Sequence, residues 1–88
     1  MQIIVRKPTP QEADAMEKLP VWECKPSTFH WYYDNTETSL VSHGKAEVEY
    51  DGGKVSFGPG DLVVFPKGLK CVWTVWETIV KHYQFSAM

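Results

Sequence analysis

The sequence lacks the features that would point to a membrane, a nucleic acid or export. Its longest apolar run is far shorter than the roughly 18 residues that a membrane-spanning helix needs. Nine Lys and Arg face eleven Asp and Glu without any basic block, and phosphate binding usually needs a clustered basic face. No hydrophobic region typical of a signal peptide follows the first residues. We therefore expect a cytoplasmic protein that binds neither membrane nor nucleic acid.

Cysteine is scarce as well. The two cysteines, Cys24 and Cys71, lie far apart and fit no Cys-x-x-Cys spacing for metal or redox chemistry. This predicts two free thiols in a reducing compartment, with a disulfide as the alternative that the sequence leaves open.

Apolar and aromatic side chains, in contrast, are abundant. The chain has 88 residues, of which 43% are hydrophobic, and it contains four Trp, four Tyr and four Phe. A chain this short buries only about 60–65% of the surface that it exposes when unfolded, so its apolar residues must serve one compact core. We expect a single domain over residues 1–88.

One short helix is predicted near the beginning of the chain. The segment Thr9–Glu12 combines a capping threonine, a proline at the first helical position and a glutamate three residues after the cap. The helix should run over about residues 10–18 and stop before Pro20.

From residue 21 onward the pattern is that of short strands separated by turns. Lys45–Tyr50 alternates clearly between apolar and polar residues and Glu37–Ser42 alternates weakly, while Cys71–Trp76 and Ile79–Phe85 complete the series of short strands. The turn Asp51-Gly52-Gly53 is typical of a hairpin. The pattern predicts an all-β fold, an antiparallel barrel of the jelly-roll type with one short N-terminal helix.

Two motifs at a fixed separation resemble a known family. Glu37 is followed after six residues by Gly44, and Gly60-Asp61 is followed by Pro66-Lys67-Gly68. They resemble the end of the first and the start of the second motif of the cupins. With Trp31–Glu37 included, the chain is similar to the cupin subgroup that shares a domain with ureidoglycine aminohydrolase and ethanolamine-utilisation protein Q. The resemblance covers roughly residues 20–85 and implies the double-stranded β-helix of a cupin.

The resemblance also bears on metal binding. Metal-binding cupins carry two histidines and a glutamate in the first motif and a third histidine in the second, which are ligands suited to Mn, Fe, Ni or Zn. In the register that the subgroup favours, Trp31 and Tyr33 take the first two histidine positions and Cys71 takes the third. Glu37 alone is kept. We therefore expect no metal and no other cofactor.

A second register leaves an alternative open. If four residues rather than three separate the second histidine position from Glu37, the first two histidine positions fall on His30 and Tyr32. If a metal were bound, Glu37 and Cys71 would be its first ligands, with help from His30 or His82.

The same register predicts which side chains line the interior. Alternation places Cys71 and Trp73 on one face of their strand, and Trp31, Tyr33 and Glu37 at the mouth of the barrel. The result is either a small-molecule pocket or an aromatic core without a cavity.

Glu37 and Cys71 are the candidate catalytic residues. A carboxylate inside an aromatic barrel is costly unless it is paired, hydrogen-bonded or protonated, which makes Glu37 a candidate general acid or base. Alternation does not decide which face of the last strand points inward. The candidate substrate-binding residues are Trp31, Tyr33, Trp73 and His82.

The predicted function is that of a small-molecule-binding cupin that works without metal, and whether it is an enzyme is left open. Two alternatives remain: a metal-dependent enzyme similar to the aminohydrolase, and a non-catalytic structural or dimerisation module. We expect a homodimer, because an exposed strand edge in a small barrel gains stability when it is covered.

Overall fold

Two long antiparallel strands form the centre of the fold in the computed structural model, which describes residues 1–86. They are β4 (Thr36–Tyr50) and β7 (Lys70–Ser86), and they pair along most of the length of β4. The remaining elements are β1 (Ile4–Arg6), α1 (Pro10–Met16), β2 (Val21–Cys24), β3 (Ser27–Tyr32), β5 (Gly53–Phe57) and β6 (Leu62–Phe65).

All strand pairs are antiparallel, and the sheet wraps around one interior. The strand order is β1-β6-β4-β7-β2, with β3 also paired to β7 and β5 also paired to β4. The predicted all-β antiparallel fold with one short helix is confirmed. Within residues 1–86, no helix is both long and apolar enough to cross a membrane.

The helix α1 begins as predicted and ends early. Thr9 and Glu12 form the capping box, in which the Thr9 Oγ1 accepts the Glu12 N–H at 3.2 Å and the Glu12 Oε1 accepts the Thr9 N–H at 2.8 Å. The helix ends at Met16, two residues before the expected end. The N–H of Leu19 already bonds three residues back to the Met16 carbonyl, and Pro20 disfavours a helical conformation at Leu19.

Gly44 changes which side chains of β4 face the interior. Before it, the odd-numbered Glu37 and Val41 are buried, and after it the even-numbered Ala46 and Val48 are buried. The register against β7 shifts between residues 41 and 46, where Gly44 has a φ of +87°. A Cβ there would lie 2.1 Å from a backbone oxygen of β7. The two segments predicted around this glycine are therefore one bulged strand.

The interior is filled mainly by large aromatic and aliphatic side chains. Trp73, Tyr33 and Phe65 are the largest that are fully buried, and the Tyr33 and Phe65 rings stack at 4.8 Å between centroids. Among the described residues, the buried side chains that are polar or charged are Glu37, Ser39 and Lys81. These three mark the site described next.

Candidate functional site

A cavity of about 190 Å³ lies at the open end of the barrel interior. At about 30 Å³ of liquid volume per water, it has room for about six water molecules, which is the bulk of a small organic compound. Of the nine lining residues within 1–86, seven are aromatic and the other two are Glu37 and Lys81. These nine residues are Trp22, Phe29, Trp31, Tyr33, Glu37, Trp73, Lys81, Tyr83 and Phe85.

The two charged residues of the cavity form a buried ion pair. Lys81 on β7 donates a hydrogen bond from Nζ to Glu37 Oε2 on β4, and Ser39 Oγ donates to the same oxygen at 2.5 Å. Glu37 is 5% exposed and Lys81 is 4% exposed. Removing two ions from water this completely is costly unless each keeps its partner, so the pair depends on its internal contacts.

Aromatic rings surround the ammonium group of Lys81. Its Nζ lies 4.9 Å from the ring centroid of Trp22, 5.0 Å from that of Trp73 and 5.4 Å from that of Phe65. The faces of such rings attract cations, more strongly where water is excluded. Burial lowers the pKa of Lys81 from its ordinary value, and the nearby Glu37 carboxylate partly offsets that effect.

Tyr33 and Trp73 hold each other in place at the wall of the cavity. The Trp73 indole N–H donates to the Tyr33 hydroxyl at 3.1 Å. Two backbone hydrogen bonds, of 3.0 and 2.7 Å, tie Tyr33 to the loop after β6. Burial, and then the negative charge of Glu37, raise the pKa of Tyr33 above its ordinary value, so the phenol stays neutral.

Comparison with known proteins places the chain in a family. A family model described as the EutQ-like cupin domain matches residues 11–83. The chain belongs to the EutQ-like cupin family. The resemblance to the ethanolamine-utilisation protein Q subgroup is thereby confirmed.

This EutQ-like cupin spans the whole of some relatives and only part of others. A DUF861 family protein from Thermotoga maritima is 44% identical, and the match spans 97% of this chain and 100% of that one with a TM-score of 0.91. The Clostridioides difficile EutQ structure is 32% identical over 74% of this chain and 52% of its own, with a TM-score of 0.69. The curated acetate kinase EutQ of C. difficile strain 630 is 38% identical over 53 residues. The chain spans 34% of that curated relative.

Four of the six residues predicted for the site meet around the cavity of this EutQ-like cupin. They are Glu37, Trp31, Tyr33 and Trp73. Trp31 is 51% exposed and stands at the rim, whereas Tyr33 and Trp73 are buried in the wall.

Cys71 lies beside the cavity and is not among its lining residues. Its thiol is within 3.6 Å of the Trp31 carbonyl oxygen, and the residue borders a neighbouring surface groove. Burial raises the pKa of Cys71 to about 11, and the positive charge of Lys81 acts against that rise. The thiol is therefore protonated at neutral pH, which makes it a poor nucleophile.

His82 points away from the cavity. Its strand neighbours Lys81 and Tyr83 line the cavity, and alternation turns His82 to the opposite face of β7. There its Nδ1 lies 3.0 Å from the Leu19 carbonyl oxygen, next to the segment that follows α1.

Sequence reasoning missed Lys81, the cation of the site. The prediction divided residues 71–85 into two strands and left the inward face of the second undecided. The structure shows one strand, in which Cys71, Trp73 and Val75 share the buried face with Ile79 and Lys81. The available signal was that these positions lie two or four residues apart, so that they share one face of a strand, but this holds only if the strand is unbroken from 71 to 81.

The residues at the cupin metal positions do not fit a divalent metal. The Tyr33 hydroxyl accepts a hydrogen bond from Trp73, and the Cys71 thiol is protonated at neutral pH. The Glu37 carboxylate is bound by the Lys81 ammonium group. No cluster of three or more His, Cys, Asp or Glu side chains that could hold a metal occurs in residues 1–86. A set of phenol, thiol and paired carboxylate offers too few ligands for such an ion.

Proposed function

We propose that this cupin domain binds a small uncharged organic molecule in the aromatic cavity and orients it with the Glu37–Lys81 pair, without a metal ion. The observation that supports this is the composition of the cavity wall, which is seven aromatic residues and one pair of opposite charges. Ligand sites in proteins commonly combine apolar walls with a few polar groups that fix orientation.

The charge of the pair favours an uncharged ligand. Glu37 and Lys81 cancel each other, so an ionised ligand would bring an unpaired charge into an apolar site, where burial is costly. A neutral group that both accepts and donates hydrogen bonds could address Lys81 and Glu37 together. A planar apolar body would lie against the rings of Trp73 and Tyr33.

Three ligands of one shape test the proposal: benzamide, benzoate and benzylamine. We expect benzamide to bind at least about tenfold more tightly than either ion, which corresponds to about 1.4 kcal/mol. Titration calorimetry, supported by the fluorescence of Trp22 and Trp73 beside the ammonium group, measures the three affinities.

Matched variants connect the binding to the pair. Lys81→Met should weaken benzamide binding at least about tenfold, because a hydrogen-bond donor to the ligand is lost. Lys67→Met, which replaces an exposed lysine, should leave binding unchanged. The proposal fails if neither benzamide nor the smaller butanamide binds. It also fails if benzoate and benzylamine bind as tightly as benzamide.

We do not propose acetate kinase activity for this chain. Acetate kinase activity is attached to a protein of which this chain spans 34%. A nucleotide would bring several negative phosphates, and Lys81, the cation among the described lining residues, is already paired with Glu37.

A further inference from the structure

We propose that Lys81 captures small aldehydes or ketones as a protonated imine, with Glu37 as its counterion and proton carrier. This rests on the proposed function, since the carbonyl compound must enter the same cavity. The geometry behind it is a buried primary amine that lines an aromatic cavity large enough for a small molecule and contacts a carboxylate.

The surroundings of Lys81 suit the product as well as the free side chain. A protonated imine keeps the positive charge on the same nitrogen. The Glu37 carboxylate and the rings of Trp22, Trp73 and Phe65 therefore stabilise the cation before and after the reaction.

The amine can be released from its proton within the pair. Attack requires neutral Lys81, and Glu37 is hydrogen-bonded to its ammonium group and can accept the proton directly. In a site of low polarity an ion pair loses much of its advantage over the neutral amine and acid. Burial lowers the pKa of Lys81, which supports the same shift.

Protons and bonds balance through the sequence. Glu37 takes one proton from Lys81 Nζ, the amine nitrogen bonds to the carbonyl carbon, and Glu37 returns the proton to the carbonyl oxygen. Glu37 then removes a second proton from nitrogen and delivers it to the hydroxyl group, which leaves as water while the C=N bond forms. The net change is ammonium plus carbonyl compound to iminium plus water, with Glu37 again a carboxylate.

Reductive trapping tests the proposal on the wild-type protein. The probes are benzaldehyde and butanal with sodium cyanoborohydride, which reduces the iminium to a stable secondary amine. At pH 6.5 an ordinary lysine is in the amine form in only about one molecule in ten thousand. The seven other lysines of the chain are all exposed and provide an internal control.

Peptide mapping by mass spectrometry should find Lys81 alkylated at least about tenfold faster than any exposed lysine. Glu37→Gln leaves Lys81 in the amine form but removes the group that carries protons from nitrogen to oxygen, so loss of water should limit the reaction. Labelling of Lys81 should then slow while Lys67 and Lys70 react as before, and benzamide should protect Lys81. Labelling of Lys81 no faster than that of the exposed lysines overturns the proposal. If benzamide nevertheless binds, only the covalent step is wrong. If benzamide fails to bind as well, the proposed function falls with it.

Discussion

Replacing Lys81 or Glu37 one at a time should destabilise the protein with opposite dependence on pH. Lys81→Met leaves the Glu37 carboxylate buried without its cation, and Glu37→Gln leaves the Lys81 ammonium group without its counterion. In each variant the remaining group can avoid being buried as an ion: the carboxylate can gain a proton, or the ammonium group can lose one. The cost of doing so depends on pH, and its direction differs between an acid and a base.

The magnitudes follow from ordinary pKa values. Neutralising a glutamate side chain, with an ordinary pKa of about 4.3, costs about 1 kcal/mol at pH 5 and about 3.7 kcal/mol at pH 7. Neutralising a lysine, with an ordinary pKa of about 10.4, costs about 4.6 kcal/mol at pH 7 and about 1.9 kcal/mol at pH 9. Leaving one member of a buried pair charged and alone costs about 3–5 kcal/mol, which limits both values.

The folded state of Lys81→Met should therefore bind one proton more than its unfolded state, and it should lose stability relative to wild type as the pH rises from 5 to 7. Glu37→Gln should show the reverse. Its folded state binds one proton fewer, because burial already lowers the pKa of Lys81, and the variant should gain stability relative to wild type as the pH rises from 7 to 9.

Urea denaturation followed by far-ultraviolet circular dichroism measures these free energies of unfolding at each pH. The double variant Glu37→Gln/Lys81→Met removes both charges and should be closer to wild type than the sum of the two single losses by at least about 2 kcal/mol. Parallel pH trends in the two single variants, or additive losses in the double variant, would refute the view that the two residues depend on each other.

Three further predictions address the frame of the site and the assembly. In the same urea assay, Gly44→Ala should lower the free energy of unfolding by at least about 2 kcal/mol, because the new Cβ meets the backbone of β7 at a positive φ. Gly58→Ala, whose new Cβ has its nearest atom at 3.5 Å, should change it by no more than about 0.5 kcal/mol. At pH 8 only about one Cys71 thiol in a thousand should be ionised, so iodoacetamide should alkylate Cys71 far more slowly than a model thiol peptide. Peptide mapping measures the rate, and a rate comparable to that of the peptide would contradict the burial of Cys71. We also expect sedimentation at micromolar concentration to show a homodimer, since β3 pairs only with β7 among the described strands and carries the exposed Trp31 and Tyr32; a strict monomer would count against it.

The fold was accessible from sequence because its signals are local. The capping box at Thr9, the hairpin turn at residues 51–53 and the motif glycines each act within a few residues, and the structure contains all of them. Gly44 shows the limit of such reasoning. The cupin motif marked this position, but a motif glycine ends a strand in one setting and bulges it in another. The outcome depends on β7, which is distant in sequence.

The site was accessible only in part for the same reason. Trp31, Tyr33 and Glu37 precede the bulge and follow the cupin register directly, so the structure brings them to the cavity as expected. Lys81 comes after Trp76, where exposed and polar residues resemble a turn, and its direction depends on an unbroken β7. Pairing of Lys45 with Glu77 carries the strand through this stretch, and that pairing is not visible in the sequence of β7 alone.

A cation that is covalently part of the chain changes what a cupin barrel can do with its glutamate. In metal-binding cupins the charge beside that glutamate comes from an ion, which must be acquired and can be removed. Here the Lys81 ammonium group neutralises Glu37, so chelators should leave benzamide binding unchanged. An ammonium group is a weaker electrophile than a metal ion, but it can lose a proton, and its nitrogen can then form a bond to carbon. Under the proposed function, a lysine in place of a metal would favour chemistry at carbonyl carbon over hydrolysis by a metal-activated water, and this makes aldehydes and ketones the first ligands to try.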